Sequence, residues 1–103
     1  MDFSGFDWDQ GNRQKCEQHG LSIVEIEKMF RQIVFVAPDP LHSASEERFK
    51  AIGESAEGRK IFVVFTWRIR EGDRFLRPIS TRYMHDKEIV AYEKEASDSD
   101  KRH

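Results

Sequence analysis

An α+β fold is the architecture this sequence predicts: a mostly antiparallel twisted sheet with two N-terminal helices and one C-terminal helix. Three observations predict it. The first third of the chain reads strand, helix, helix, strand; residues 47–82 read as three strands in a meander; and a helical pattern starts near Asp86. Strands joined by short turns pair antiparallel, which sets the character of the sheet. At 103 residues the chain is expected to form one domain with a modest core over 1–96. Residues 97–103 are expected to be a frayed polar tail.

The elements follow in order. Residues 1–8 alternate loosely, placing Phe6 and Trp8 on one face of a short first strand. Asp9 is a good N-cap and Gly20 a good terminator, which predicts a helix over 10–19. That helix has almost no apolar stripe; Asn12, Lys15, Cys16 and His19 share one of its faces instead. A buried amide tying the helix to a strand backbone is the favoured reading of Asn12, and Lys15 stays open. The second helix is announced by the capping box Ser22-Ile23-Val24-Glu25 and a hydrophobic staple between Leu21 and Ile26. Ile23, Ile26, Met29 and Phe30 form its apolar stripe. A strand over 33–36 follows, stopped by Ala37-Pro38-Asp39-Pro40, and His42-Ser43-Ala44-Ser45 reads as a polar loop.

In the meander, the first strand covers about 47–54, with Phe49, Ala51 and Gly53 alternating against Arg48, Lys50 and Ile52. Ser55-Ala56-Glu57-Gly58 is a turn in which Gly58 is able to take positive φ. Ile61 to Ile69 is apolar on both faces at its start, the mark of a central strand. After Glu71-Gly72-Asp73, the last strand runs over about 74–82. Pro78 cannot donate to a ladder, so it predicts either an edge or a bulge. Plain alternation puts Arg77 and Arg82 on opposite faces, whereas one extra residue at Pro78-Ile79 brings Arg77, Ser80 and Arg82 together. The final helix starts near Asp86, with Ile89, Tyr92 and Ala96 facing inward.

Composition narrows the function. Charged residues make up 35% and aromatics 12%, too charged for a membrane protein and too aromatic for a disordered chain. No apolar run approaches bilayer length, and no basic stretch followed by an apolar block suggests a secretion signal. A lone Cys16 makes no internal disulfide, so a cytoplasmic setting is expected. Net charge is −2, yet residues 48–82 carry nine Lys/Arg against four acids, a balance of +5 inside an otherwise acidic chain. A basic sheet face of this kind steers polyanions locally. The plainer alternative is that many of these arginines only solvate exposed strands.

The densest chemistry lies in Arg77-Pro78-Ile79-Ser80-Thr81-Arg82-Tyr83-Met84-His85, where a strand gives way to a helix. Guanidinium forks match phosphate oxygens, and imidazole or phenol groups move protons. Cleaving RNA without a metal needs a base for the ribose 2′-hydroxyl, cations for the phosphorane and an acid for the leaving oxygen. Arg77 and Arg82, then Arg48, are candidates for the cations; His85 or His19 for base or acid; Tyr83 for a donor. Lys15, His19, Lys50, Arg68 and Ser80 are candidates for holding the substrate. Each has a plainer reading: His19 capping the first helix, Arg48 pairing with Glu46, Tyr83 packing in the core. Cys16 and His19 have no second close ligand pair, and there is no glycine-rich phosphate loop, nucleophile elbow or zincin helix. Neither metal nor cofactor is expected.

Taken in order, the motifs resemble the BrnT family, bacterial toxins with a RelE-related fold. They are Phe6-Asp7-Trp8-Asp9; Asn12 with Lys15 and His19-Gly20; Pro38-Asp39-Pro40 with His42-Ser43; Glu47-Arg48-Phe49 with Ile52-Gly53; and the run from Arg77 to His85. The resemblance covers about residues 3–95. It implies a ribonuclease toxin that inhibits translation, a cognate BrnA-like antitoxin as partner, and contact with DNA only through that antitoxin. The residues themselves leave open a second reading, a non-catalytic module whose basic sheet docks a protein or nucleic acid.

Overall fold

The computed structural model describes residues 2–32 and 34–101, and from residue 96 onward the backbone alone. The strands are β1 (Gly5–Phe6), β2 (Phe35–Pro38), β3 (Phe49–Glu54), β4 (Lys60–Arg70) and β5 (Asp73–Tyr83). They make one sheet in the order β1-β5-β4-β3-β2, with β1 parallel to β5 and every other pair antiparallel. Three helices complete the α+β fold: α1 (Gln10–Glu17), α2 (Ile23–Phe30) and α3 (Asp86–Lys101). None is long and apolar enough to cross a membrane.

Local chemistry starts both N-terminal helices. Asp9 caps α1, accepting from the Asn12 N–H at 3.0 Å, while the Asn12 side chain accepts from the Asp9 N–H at 2.7 Å. This is a capping box with Asn in place of Glu. Ser22 and Glu25 form the expected box on α2, and Leu21 and Ile26 are both buried. Gly20, with φ of +90°, turns the chain between the helices. The helices cover one sheet face, where Leu21, Ile26, Met29 and Phe30 meet Ala51, Ile61, Val63, Phe65 and Leu76. Gly53 lets α2 approach: a Cβ there would overlap Met29 Cγ and sit 3.1 Å from a Val34 methyl.

α3 returns toward the opposite face. Tyr92 packs edge-on against Phe35 with ring centroids 5.8 Å apart, and Glu88 pairs with Arg82. Ile89 and Tyr92 are half-buried, as expected, while the Ala96 side chain lies outside the described residues. Helical backbone extends to Lys101, and residues 102–103 also lie outside the described residues.

Two strands correct the sequence reading. The first pairs only at Gly5–Phe6, beside Phe75 and Leu76; the Asp7 N–H still donates to the Leu76 carbonyl at 2.9 Å, and its carboxylate goes to Arg70 and Arg77. The strand expected at 33–36 runs over Phe35–Pro38 instead, with Ile33 outside the described residues. Pro38 was expected to stop it and is its last residue. β2 is an outer strand, and the Asp39 N–H donates to the Arg48 carbonyl, so alternation turns the Pro38 nitrogen away from β3.

The bulge allowed by Pro78 is present. Val64 pairs with Ser80 and Phe65 with Pro78, leaving Ile79 opposite no residue. The Pro78 carbonyl accepts from Asn12 Nδ2 at 2.8 Å, on the side of β5 away from β4, so the missing N–H interrupts no ladder bond. Past the bulge, Arg77, Ser80 and Arg82 share the face opposite α1 and α2, together with Lys50 and Arg68. At the β4–β5 turn, Glu71 and Gly72 both have positive φ, +53° and +84°, matching the twist of a two-residue hairpin loop.

Candidate active site

Asn12 and Thr81 fix one wall of a cleft. Asn12 is buried and its Nδ2 donates to two carbonyls, those of Asp7 at 3.0 Å and Pro78 at 2.8 Å. The Thr81 hydroxyl donates to the Cys16 carbonyl at 2.5 Å. These bonds clamp α1 along the edge of β5 and direct Asn12 and Cys16 inward, which explains a helix with no apolar stripe. Burial pushes the Cys16 thiol up to about 12, so it is a packing group and not a nucleophile. α1 ends at Glu17, short of the expected residue 19, so Lys15 on the helix and Gln18 and His19 in the turn after it line the cleft beside the open sheet.

The resulting cleft has a volume of about 210 Å³. Phe62, Val64, Ser80, Thr81 and Arg82 form its floor, Lys15, Gln18 and His19 one wall, and His42 contributes from the loop after β2. Arg82 lies with its guanidinium carbon 4.8 Å from the Phe62 ring centroid and donates to both Glu88 oxygens, at 2.7 and 2.8 Å. The Arg82 fork, then the His85 N–H, holds the Glu88 carboxyl well below its usual range, at about 2. Cations, imidazoles and a hydroxyl around an apolar floor suit a nucleotide: phosphate to the forks, base or ribose to the floor.

The structure brings Arg82, Ser80, Lys15 and His19 together, and disperses the other sequence candidates. Arg77 donates to Asp9 at 2.8 Å and Asp7 at 3.4 Å, while Arg70 reaches Asp7 at 2.9 Å. The Asn12 N–H and then Arg77 hold the Asp9 carboxyl below its usual range. Arg48 and Arg68 share Glu46, at 3.4 and 2.8 Å, and mainly Arg68 holds that carboxyl down. Lys50 makes no ion pair among the described residues. Tyr83 is on the helix-covered face, with Arg59 3.6 Å above its ring and its hydroxyl 3.4 Å from Glu25. Burial, then Glu25, pushes that phenol upward. His85 is exposed, donates its backbone N–H to Glu88, and does not line the cleft.

One pair was overlooked. His42 Nδ1 lies 2.6 Å from Asp39 Oδ2; the carboxylate is buried at 7% side-chain exposure and the ring is half open at 53%. Pro40–His42 form a single 3-10 turn, and the Ser43 hydroxyl ties its base by donating to the Asp39 carbonyl and accepting from the Arg48 N–H, both at 2.8 Å. The available signal was Asp39 three residues before His42, with Pro on each side of the acid.

A small α+β protein with a cationic, imidazole-lined cleft at the edge of its sheet is the class that fold and site define. The chain belongs to the BrnT toxin family, ribonuclease toxins of type II toxin–antitoxin systems, whose family model matches residues 8–88. The matched region runs from Trp8 past every cleft residue to Glu88. No curated protein matches the chain.

Proposed function

We propose that this chain is a metal-independent endoribonuclease that cuts cellular RNA in the cytoplasm, inhibits translation, and is silenced by a cognate BrnA-like antitoxin. Membership of a ribonuclease toxin family supports the reaction class. The single structural observation that carries the reading is the cleft, where Arg82, Lys15, His19 and Ser80 converge over Phe62 and Val64. In this mechanism Arg82 and Lys15 stabilise charge building on the phosphorane, and His19 exchanges a proton with the reacting oxygens. Ser80 donates to a non-bridging oxygen, and Phe62 supports the base. Lys50 and Arg68, on the same face, steer the flanking phosphates.

The partner follows from charge. An acidic segment of the antitoxin covering the open face would occupy the groups that phosphate needs, so inhibition is by occlusion. DNA is reached only through the antitoxin. In the test, purified chain freed of any copurifying inhibitor is incubated with RNA in EDTA and the new 3′ ends are analysed. Cyclic phosphate ends, lost in Arg82→Ala, are expected. Cleavage that requires added zinc, or full activity in the Arg77→Ala/Arg82→Ala double variant, would overturn the mechanism. An antitoxin complex that still cuts RNA at full rate would overturn occlusion.

A further inference from the structure

We propose that His42, oriented by the buried carboxylate of Asp39, is the base that removes the 2′-hydroxyl proton in the cleft. The inference rests on the RNA-cleaving reading and assigns its missing group. Of the imidazoles among the described residues, His42 and His19 line the cleft, while His85 does not. Among the described residues only His42 is held by a carboxylate: Asp39 Oδ2 accepts from Nδ1 at 2.6 Å.

That bond selects the tautomer. With Nδ1–H given to Asp39, Nε2 carries the lone pair, and the half-open ring is free to present it to the cleft. Asp39 also stabilises the imidazolium that forms when Nε2 takes the proton, as a carboxylate does for a catalytic imidazole elsewhere. The support beneath is stiff for a loop. The Asp39 N–H donates to the Arg48 carbonyl at 2.9 Å, the His42 N–H to the Asp39 carbonyl at 3.2 Å, and Ser43 closes the turn.

The step balances. Nε2 of His42 takes the 2′ proton, the 2′ oxygen forms a bond to phosphorus, and the bond from phosphorus to the 5′ oxygen breaks. The leaving oxygen takes a proton from the imidazolium of His19 on the α1 wall. The products are a 2′,3′-cyclic phosphate and a 5′-hydroxyl, and exchange with solvent resets both rings.

A buried carboxylate also needs a donor for purely structural reasons, so the test separates the two roles. Single-turnover cleavage of RNA is measured in EDTA for wild type, His42→Gln, His42→Ala with and without imidazole, and Asp39→Asn. Binding of a 2′-O-methyl RNA, which has no proton to give, is measured in parallel. Gln keeps a donor for Asp39 and supplies no base, so His42→Gln is expected to fold and to bind normally while cutting at least about 100-fold more slowly. Imidazole is expected to restore part of the rate to His42→Ala. It should do nothing for Asp39→Asn, whose amide donates to Nδ1 and leaves the proton on Nε2. Wild-type cleavage with His42→Gln at the same rate overturns the base assignment alone. Wild type that yields no cyclic phosphate ends overturns the RNA-cleaving reading and the base with it.

Discussion

Arg77 and Arg82 share one strand and one sheet face, and their surroundings give them opposite duties. Arg77 sits in a mesh: Asp7 is buried and bound by both Arg70 and Arg77, while Asp9 caps α1 and takes the other arm of Arg77. This end of the sheet joins β1, β5 and the start of α1. Among the described residues Arg82 has one carboxylate partner, Glu88 on α3, and both side chains are about one-third exposed. A guanidinium committed to two acids on the structural frame has little left for a ligand. One held by a single surface carboxylate can exchange it for a phosphate. Sequence motif alone makes the two arginines equivalent; their partners do not.

The largest effect tests the open end. Arg82→Ala is expected to lower RNA cleavage by about 100- to 1,000-fold, the usual result of removing one aimed donor from a developing oxyanion. Its melting temperature should stay within a few degrees, because an exposed ion pair contributes only about 0–1 kcal/mol. A similar loss of cleavage with a large drop in stability would erase the contrast with Arg77.

The closed end should respond in the reverse way. Arg77→Ala takes one of its two partners from the buried Asp7, and urea denaturation should show a loss of about 1–3 kcal/mol. Cleavage per folded molecule should change by less than tenfold. Asn12→Ala removes two buried bonds to the Asp7 and Pro78 carbonyls. It should cost a similar amount, and it should also slow cleavage, since Asn12 anchors the helix that carries Lys15 and leads into His19. A stable Asn12→Ala protein with full activity would show that the α1 wall needs no clamp.

The fold and part of the site were legible in the sequence, and the limits have physical causes. Pro78 narrowed the choice to an edge or a bulge because a residue without an N–H has few places in a strand, and the bulge that is present brings Arg77 onto the face of Ser80 and Arg82. The same argument failed at Pro38, where it takes knowledge of β2 as an outer strand to see that the missing donor is harmless. Tyr83 was placed in the site with Arg82 although adjacent strand residues point to opposite faces; period two already assigned it to the helix side. Asp39 and His42 went unread because a loop has no period, and the bond between them depends on one 3-10 turn. The partners of the arginines were the least legible. Asp7 and Arg77 are seventy residues apart in sequence and meet only because β1 pairs with β5.

The smallest expected effect probes the carboxylate that holds Arg82 at the open end. Glu88 titrates at about 2 when folded, against an ordinary 4.5, because Arg82 favours its charged form. A depressed folded value means that the stability it contributes is complete above about pH 4.5 and is lost as pH falls toward 2. Glu88→Gln should therefore flatten that part of the acid-stability profile while lowering neutral stability by about 0–1 kcal/mol. Freed of its carboxylate, Arg82 should bind 2′-O-methyl RNA up to about fivefold more tightly, the same free energy read as affinity. Weaker binding in this variant would mean that Glu88 aims the guanidinium and does not compete with phosphate. Arg82 would then resemble Arg77 more closely than its exposure suggests.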